Sequence, residues 1–217
     1  MQPHFWLERW QLGQIGFHQT AVEQQLERLW RELQVTAGSV FVPLCGKSLD
    51  LLWLRDRGLK VTGVEISPVA LELLCLEQGI PARRQMGVAF ERYTAEELRL
   101  FQGDLFDLNK DMLGPVDAVY DRASMISFTP QARPRYVEQL AQLTERGTKT
   151  LLITLEYPQQ QMDGPPFSVS AADVENLYGS HHTIRLLSRR DILGNEPRLR
   201  SRGVSELYEN CFLLTRQ

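Results

Sequence analysis

The residues best placed to do chemistry lie between Val40 and Glu65. A short apolar run, Ser39-Val-Phe-Val-Pro-Leu44, reads as a buried strand and is followed by the turn Cys45-Gly-Lys-Ser48. A helix is expected over Leu49–Arg57, stopped by Gly58, and a second strand over Lys60–Glu65. Strand, tight glycine turn, helix, strand and terminal acid form one unit. In doubly wound sheets, ligands bind at the carboxyl ends of the strands. An acid closing the second strand, about 20 residues after the turn glycine, can accept hydrogen bonds from both ribose hydroxyls of a nucleoside. Glu65 is therefore a cofactor candidate, with a solvated charge at a strand end as the plainer reading.

The turn limits which nucleoside it can be. Dinucleotide binding wants G-x-G-x-x-G, so that backbone can approach a pyrophosphate, and only Gly46 is present here. A triphosphate loop would need a glycine five residues before Gly46, where Phe41 stands. A phosphate-free nucleoside sulfonium, needing an acid, apolar walls and backbone groups, fits better.

Other candidates follow the later strands. Gly103-Asp-Leu-Phe-Asp-Leu108 sits where an adenine would be contacted, and Asp104 and Leu105 either line that ring or form an ordinary turn with Phe106 buried. Asp117-Ala-Val-Tyr-Asp-Arg122 ends a strand. Arg122 either orients the cofactor and lowers the pKa of an acidic substrate, or pairs structurally with Asp121 or Asp117. Trp6, Trp10 and Phe17 are core by spacing, or a lid that excludes water. Cys45 has no evident base and reads as a packing residue. His181 and His182 are adjacent, which suits solvation better than a shared metal, and no metal site is expected.

The elements that must carry these residues follow from apolar periodicity and caps. Thr20 and Glu23 suggest a capping box before the stripe Val22, Leu26, Leu29, Trp30 and Leu33. Ser67 and Pro68 open a helix that runs through Leu76. Strands are expected at Leu98–Phe101, Asp117–Tyr120, Thr150–Leu155, Thr183–Leu187 and Leu207–Leu214. Helices are expected from Thr129 to Leu143 and from Ser170 to Tyr178. Pro158–Pro166 reads as a mobile loop near the site. The expected fold is an α/β, doubly wound, mostly parallel seven-stranded sheet in a single domain, residues 1–217.

Composition sets the remaining bounds. The 217 residues carry a formal net charge of -3, which argues against non-specific nucleic-acid binding. Cys45, Cys75 and Cys211 make no disulfide framework and no CxxC, as suits a reducing compartment. No signal peptide and no apolar run near the ~20 residues of a membrane span is evident. A cytoplasmic protein acting on a small molecule is expected, without membrane or nucleic-acid partners, and as a monomer.

Taken together, Pro43-Leu-Cys-Gly-Lys47, Gly63-Val-Glu-Ile-Ser67 and Tyr120-Asp-Arg122 resemble the thiopurine S-methyltransferase family. So do Trp6, Trp10 and Phe17-His-Gln19 near the start and Glu206-Leu-Tyr-Glu-Asn210 with Leu213-Leu-Thr215 near the end. The resemblance spans nearly the whole chain and lies on the bacterial side, since the N-terminal extension of the animal enzymes is lacking. It implies a Rossmann-like enzyme that uses S-adenosylmethionine to methylate the sulfur of thiopurines or related aromatic thiols. Selenium or tellurium compounds are also implied as acceptors, with tellurite resistance. It implies Trp10 near the methionine moiety, Leu44 in the first turn, Glu65 on the ribose, Asp104 and Leu105 at the adenine, and Arg122 beside the cofactor. It further implies that Phe17 and Arg198 touch the substrate, with Arg122 and Arg198 as the catalytic pair stabilising an anionic sulfur. Asp104 replaces a small polar residue of animal members, so its contact is expected through backbone.

Overall fold

Buried strands need apolar residues on both faces, and the central strands of this chain supply them. The computed structural model describes residues 3–217. Along the chain run α1 (Pro3–Gln11), α2 (Gln24–Leu29), β1 (Ser39–Val42), α3 (Asp50–Arg55), β2 (Lys60–Glu65) and α4 (Pro68–Glu77). Then come β3 (Arg83–Met86), β4 (Glu91–Ala95), β5 (Leu98–Gln102), α5 (Lys110–Leu113) and β6 (Ala118–Arg122). The chain ends with α6 (Arg133–Leu143), β7 (Lys149–Glu156), α7 (Ala171–Tyr178), β8 (His182–Asp191), α8 (Pro197–Ser201) and β9 (Tyr208–Arg216). It divides into two compact units between Tyr120 and Asp121, within β6.

In the first unit the strands lie in the order β3-β4-β5-β2-β1-β6. β1 pairs in parallel with β2 (Val40 beside Val61) and with β6 (Phe41 beside Val119). β2 pairs in parallel with β5, placing Glu65 beside Gln102. Phe41, Val61 and Leu100 from the strands and Leu51, Leu54, Leu71 and Leu74 from the helices are buried. α4 begins as its sequence predicts: Ser67 accepts from the Ala70 N–H, and Pro68 occupies the first turn. α1 lies against α4. Within this unit the buried Asp50 carboxylate accepts the Glu23 N–H and the Tyr120 hydroxyl, each at 2.8 Å, tying the start of α2 to β6.

In the second unit β9 lies between β7 and β8 and pairs antiparallel with both. Leu151, Leu152 and Ile153 of β7, Tyr136 and Leu140 of α6, Val174 and Tyr178 of α7, and Phe212 and Leu214 of β9 fill the interior. Ser170 and Asp173 complete a reciprocal capping box at the head of α7.

The fold class is the expected α/β one, and all seven expected strands are present. The strand number is corrected, since nine are found among the described residues. The two extra strands, β3 and β4, form an antiparallel hairpin beside β5. The expected cap at Thr20 is also corrected. Glu23 caps α2, because its side chain accepts the Gln25 N–H at 3.1 Å while its own N–H is taken by Asp50.

The segment expected to be a mobile loop is strapped down instead. The Tyr157 hydroxyl donates to the Pro166 carbonyl at 2.6 Å, and Ser168 N–H donates to the Gln159 side chain at 2.8 Å. The Arg133 guanidinium reaches the Ser168 carbonyl at 2.7 Å, and Phe167 N–H reaches the Ile126 carbonyl at 2.7 Å. A polar, proline-rich composition signalled a loop correctly but carried no information about these tertiary bonds.

Candidate active site

Six of the eight expected site residues lie in the first unit: Leu44, Glu65, Asp104 and Leu105 at the carboxyl ends of β1, β2 and β5, Trp10 on α1 and Phe17 in the segment after it. The turn after β1 is unusual in its backbone: Leu44 has φ 46° and Gly46 φ 54°. Glycine takes the left-handed conformation without a Cβ penalty, which explains its place here. A Cβ on Gly46 would also stand 3.3 Å from the Trp10 ring. Trp10 is buried, so α1 lays an aromatic wall directly over the turn.

Glu65 sits beneath that turn, 6% exposed. Its Oε2 accepts the Gly46 N–H at 2.9 Å, and its Oε1 accepts the Ser67 N–H at 2.8 Å. Burial pushes its carboxyl pKa up, and the N–H bonds from Ser67 and Gly46 pull it back. Such bonds favour the charged form by direct donation to it. The reading of Glu65 as a freely solvated strand-end charge is thereby excluded. Beside it, Gly103 N–H donates to the Glu65 carbonyl at 2.9 Å, and the Gln102 side chain donates to the Ile66 carbonyl at 3.0 Å.

Asp104 follows immediately. Its side chain accepts the Phe106 N–H at 3.0 Å and so caps a short 3-10 turn, Leu105–Asp107. Leu105 is buried and Asp104 half-buried. The Asp104 carboxylate thus holds the turn. Phe17 is 41% exposed and meets Trp6 and Trp10 edge-on at 5.2 and 5.6 Å. Core and surface roles are divided within this cluster: Trp10 is interior, and Phe17 is the aromatic open to solvent.

Cys45 is buried, and its Sγ lies 2.7 Å from where a Cβ on Gly63 would stand. Burial, and next the charge of Glu65, push its thiol pKa well up. It is a packing residue, since the nucleophilic form of a cysteine is the thiolate.

Arg122 and Arg198 belong to the second unit. Arg122 is half-buried at the end of β6. Its neighbour Asp121 is fully buried and accepts the Tyr136 hydroxyl at 2.7 Å, and Asp117 accepts the Ser39 N–H at 2.7 Å. Arg198 is exposed on α8, which is anchored by Leu199 in a cluster with Tyr157, Met162, Val204 and Leu207. His181 and His182 are part of no metal-holding group, and none is found among the described residues.

Gly46-Lys-Ser48 has the look of a phosphate loop, yet Lys47 Nζ is bound to both oxygens of Glu77, at 2.6 and 2.8 Å. With its lysine committed and only one glycine, the donor set suits a nucleoside without phosphates. A buried carboxylate, an aromatic wall and backbone at the adjacent strand end match what S-adenosylmethionine presents.

A family model described as Thiopurine S-methyltransferase matches residues 1–217. The chain belongs to the thiopurine S-methyltransferase family. It is therefore an S-adenosylmethionine-dependent methyltransferase. A relative named thiopurine S-methyltransferase from Nitrosospira multiformis is 49% identical over 215 residues, covering 99% of this chain and 98% of the relative. Another of that name, from Methylococcus capsulatus, is 44% identical over 219 residues, covering 100% and 99%. Among solved structures, the chain is similar in fold to a Burkholderia thailandensis 1,6-didemethyltoxoflavin-N1-methyltransferase. That structure has a TM-score of 0.65 and 13% identity, with 99% of this chain and 87% of that one covered. An S-adenosylmethionine-dependent methyltransferase from Anabaena variabilis gives 0.64 and 13%, with 99% and 95% covered. Both share the fold expected for a thiopurine S-methyltransferase family member. Among the described residues no helix is long and apolar enough to cross a membrane.

Proposed function

We propose that this family member methylates the sulfur of thiopurines and related aromatic thiols, with Glu65 as the anchor of the cofactor ribose. The observation that carries this reading is the buried Glu65 carboxylate, held on both oxygens by the Gly46 and Ser67 N–H groups beneath a turn unsuited to phosphates. When bound, S-adenosylmethionine supplies an electrophilic methyl that an acceptor sulfur takes by in-line displacement.

The chain's own residues have four tasks. Glu65 accepts the ribose hydroxyls, and the Leu44 turn shapes the wall beside them. Asp104 and Leu105 border the adenine, and Trp10 closes the methionine side. Phe17 presents an aromatic face to the acceptor. Arg122, which also borders the cofactor, and Arg198 favour an acceptor that has already given its thiol proton to water, because a neighbouring cation lowers a thiol pKa. Orientation of the two reactants contributes roughly 7–11 kcal/mol, so no covalent intermediate on the protein is needed.

Selenium and tellurium compounds are softer acceptors that suit the same geometry, which is the basis for reading a role in metalloid detoxification and tellurite resistance. We also read the chain as one catalytic domain over residues 1–217, cytoplasmic and monomeric, a reading supported by the span of the family match and the free cysteines.

The experiment is a methyl-transfer screen with labelled S-adenosylmethionine against thiopurines, aromatic thiols, and selenite and tellurite supplied with excess reducing thiol, which brings them to the nucleophilic selenide or telluride level. Label in methylated thiopurine or aryl thioether is the expected result. Transfer to none of the sulfur acceptors would overturn the substrate reading, and label in volatile selenides or tellurides alone would move the function to metalloids.

A further inference from the structure

Lys47 is 8% exposed. A buried ammonium is tolerated only with a partner, since taking a charge out of water costs several kcal/mol. Its partner is Glu77, the last residue of α4. Glutamate at a helix C-terminus opposes the helix dipole, so this acid is poorly placed for α4 itself and well placed for Lys47. The first turn of α4 is entered at Ser67, whose N–H holds Glu65 Oε1. Gly46, adjacent to Lys47, holds Glu65 Oε2. The contacts therefore close a ring: Glu65 to Gly46, Gly46 to Lys47, Lys47 to Glu77, and back along α4 through Ser67 to Glu65.

We propose that Lys47 is a positioning residue for the cofactor, its ion pair with Glu77 fastening the Leu44–Lys47 turn to α4 so that the Gly46 N–H and the Glu65 carboxylate keep their places. The clamp never touches the ligand. The proposal rests on the reading of Glu65 as the ribose anchor.

The test compares Lys47→Met, Glu77→Gln and the double variant with wild type and with Glu65→Gln. S-adenosylhomocysteine affinity is measured by calorimetry, and Gly46 amide exchange is followed by NMR in the ligand-free protein. Lys47→Met and Glu77→Gln should each weaken affinity about tenfold, the scale of a charge-assisted hydrogen bond, and should speed Gly46 exchange. The double variant should do no worse than Glu77→Gln, because it leaves no buried ammonium unpaired. In steady state, KM for S-adenosylmethionine should rise while kcat at saturation and the acceptor KM stay near wild type, a split that general loosening of the fold would not produce. Folded variants with wild-type affinity and wild-type Gly46 exchange would overturn the clamp. If those variants bind normally while Glu65→Gln binds poorly, the clamp fails and the ribose anchor stands. If Glu65→Gln keeps full affinity, the anchor fails and the clamp loses its purpose with it.

Discussion

The Gly46 N–H donates to Glu65 Oε2 over 2.9 Å, linking the turn after β1 to the acid that ends β2. A nucleoside site at neighbouring parallel strands would draw on both groups, and this bond joins them to each other. The bond also holds the left-handed backbone of the turn in place beneath Trp10.

Replacing Gly46 by Ala should be costly for two separate reasons. A non-glycine residue in the left-handed region loses about 1–2 kcal/mol, and the new methyl would crowd the Trp10 ring at 3.3 Å. Urea unfolding should show a loss of at least that size, with a change in tryptophan fluorescence of the folded state.

Asp121 should make stability depend on pH. Burial pushes its carboxyl up to about 6, against the pull of the Tyr136 hydroxyl and the Met125 and Ser124 groups. The folded state therefore binds the proton more tightly than the unfolded chain. Relative to Asp121→Asn, the wild type should gain stability as pH falls from 7 through 6 toward 4, by up to ~3 kcal/mol. That advantage is lost again as pH rises through 6. Paired denaturation curves across this window check the sign, and a difference that is flat with pH would contradict it.

Tyr157→Phe should loosen the strapped segment without emptying the core. It removes the 2.6 Å bond to the Pro166 carbonyl and should reduce stability by about 1 kcal/mol. Limited proteolysis should cut between Pro158 and Phe167 faster than in wild type.

Much of the fold was legible because burial and hydrophobicity coincide. β2 was bounded correctly at Lys60 and Glu65, since its last five residues are all buried. Ser67 and Pro68 marked the start of α4 by local cap chemistry alone. The β3–β4 hairpin was missed because Arg83–Met86 is exposed throughout and offers no alternation to read. α1 was missed because it buries only Trp10. In the site, Glu65 stood out through spacing, whereas Lys47 did not. Its partner Glu77 lies 30 residues away, beyond the reach of any local window. The Glu23 cap was hidden in the same way, by a bond to Asp50 27 residues on.

The central claim is that the Glu65 carboxylate grips the ribose of the methyl donor. Calorimetric titration of S-adenosylhomocysteine into wild type and Glu65→Ala tests it most directly. Affinity should fall by about 1.5–3 kcal/mol in the variant, the worth of charge-assisted hydrogen bonds. A folded Glu65→Ala protein that binds the ligand as tightly as wild type would contradict it.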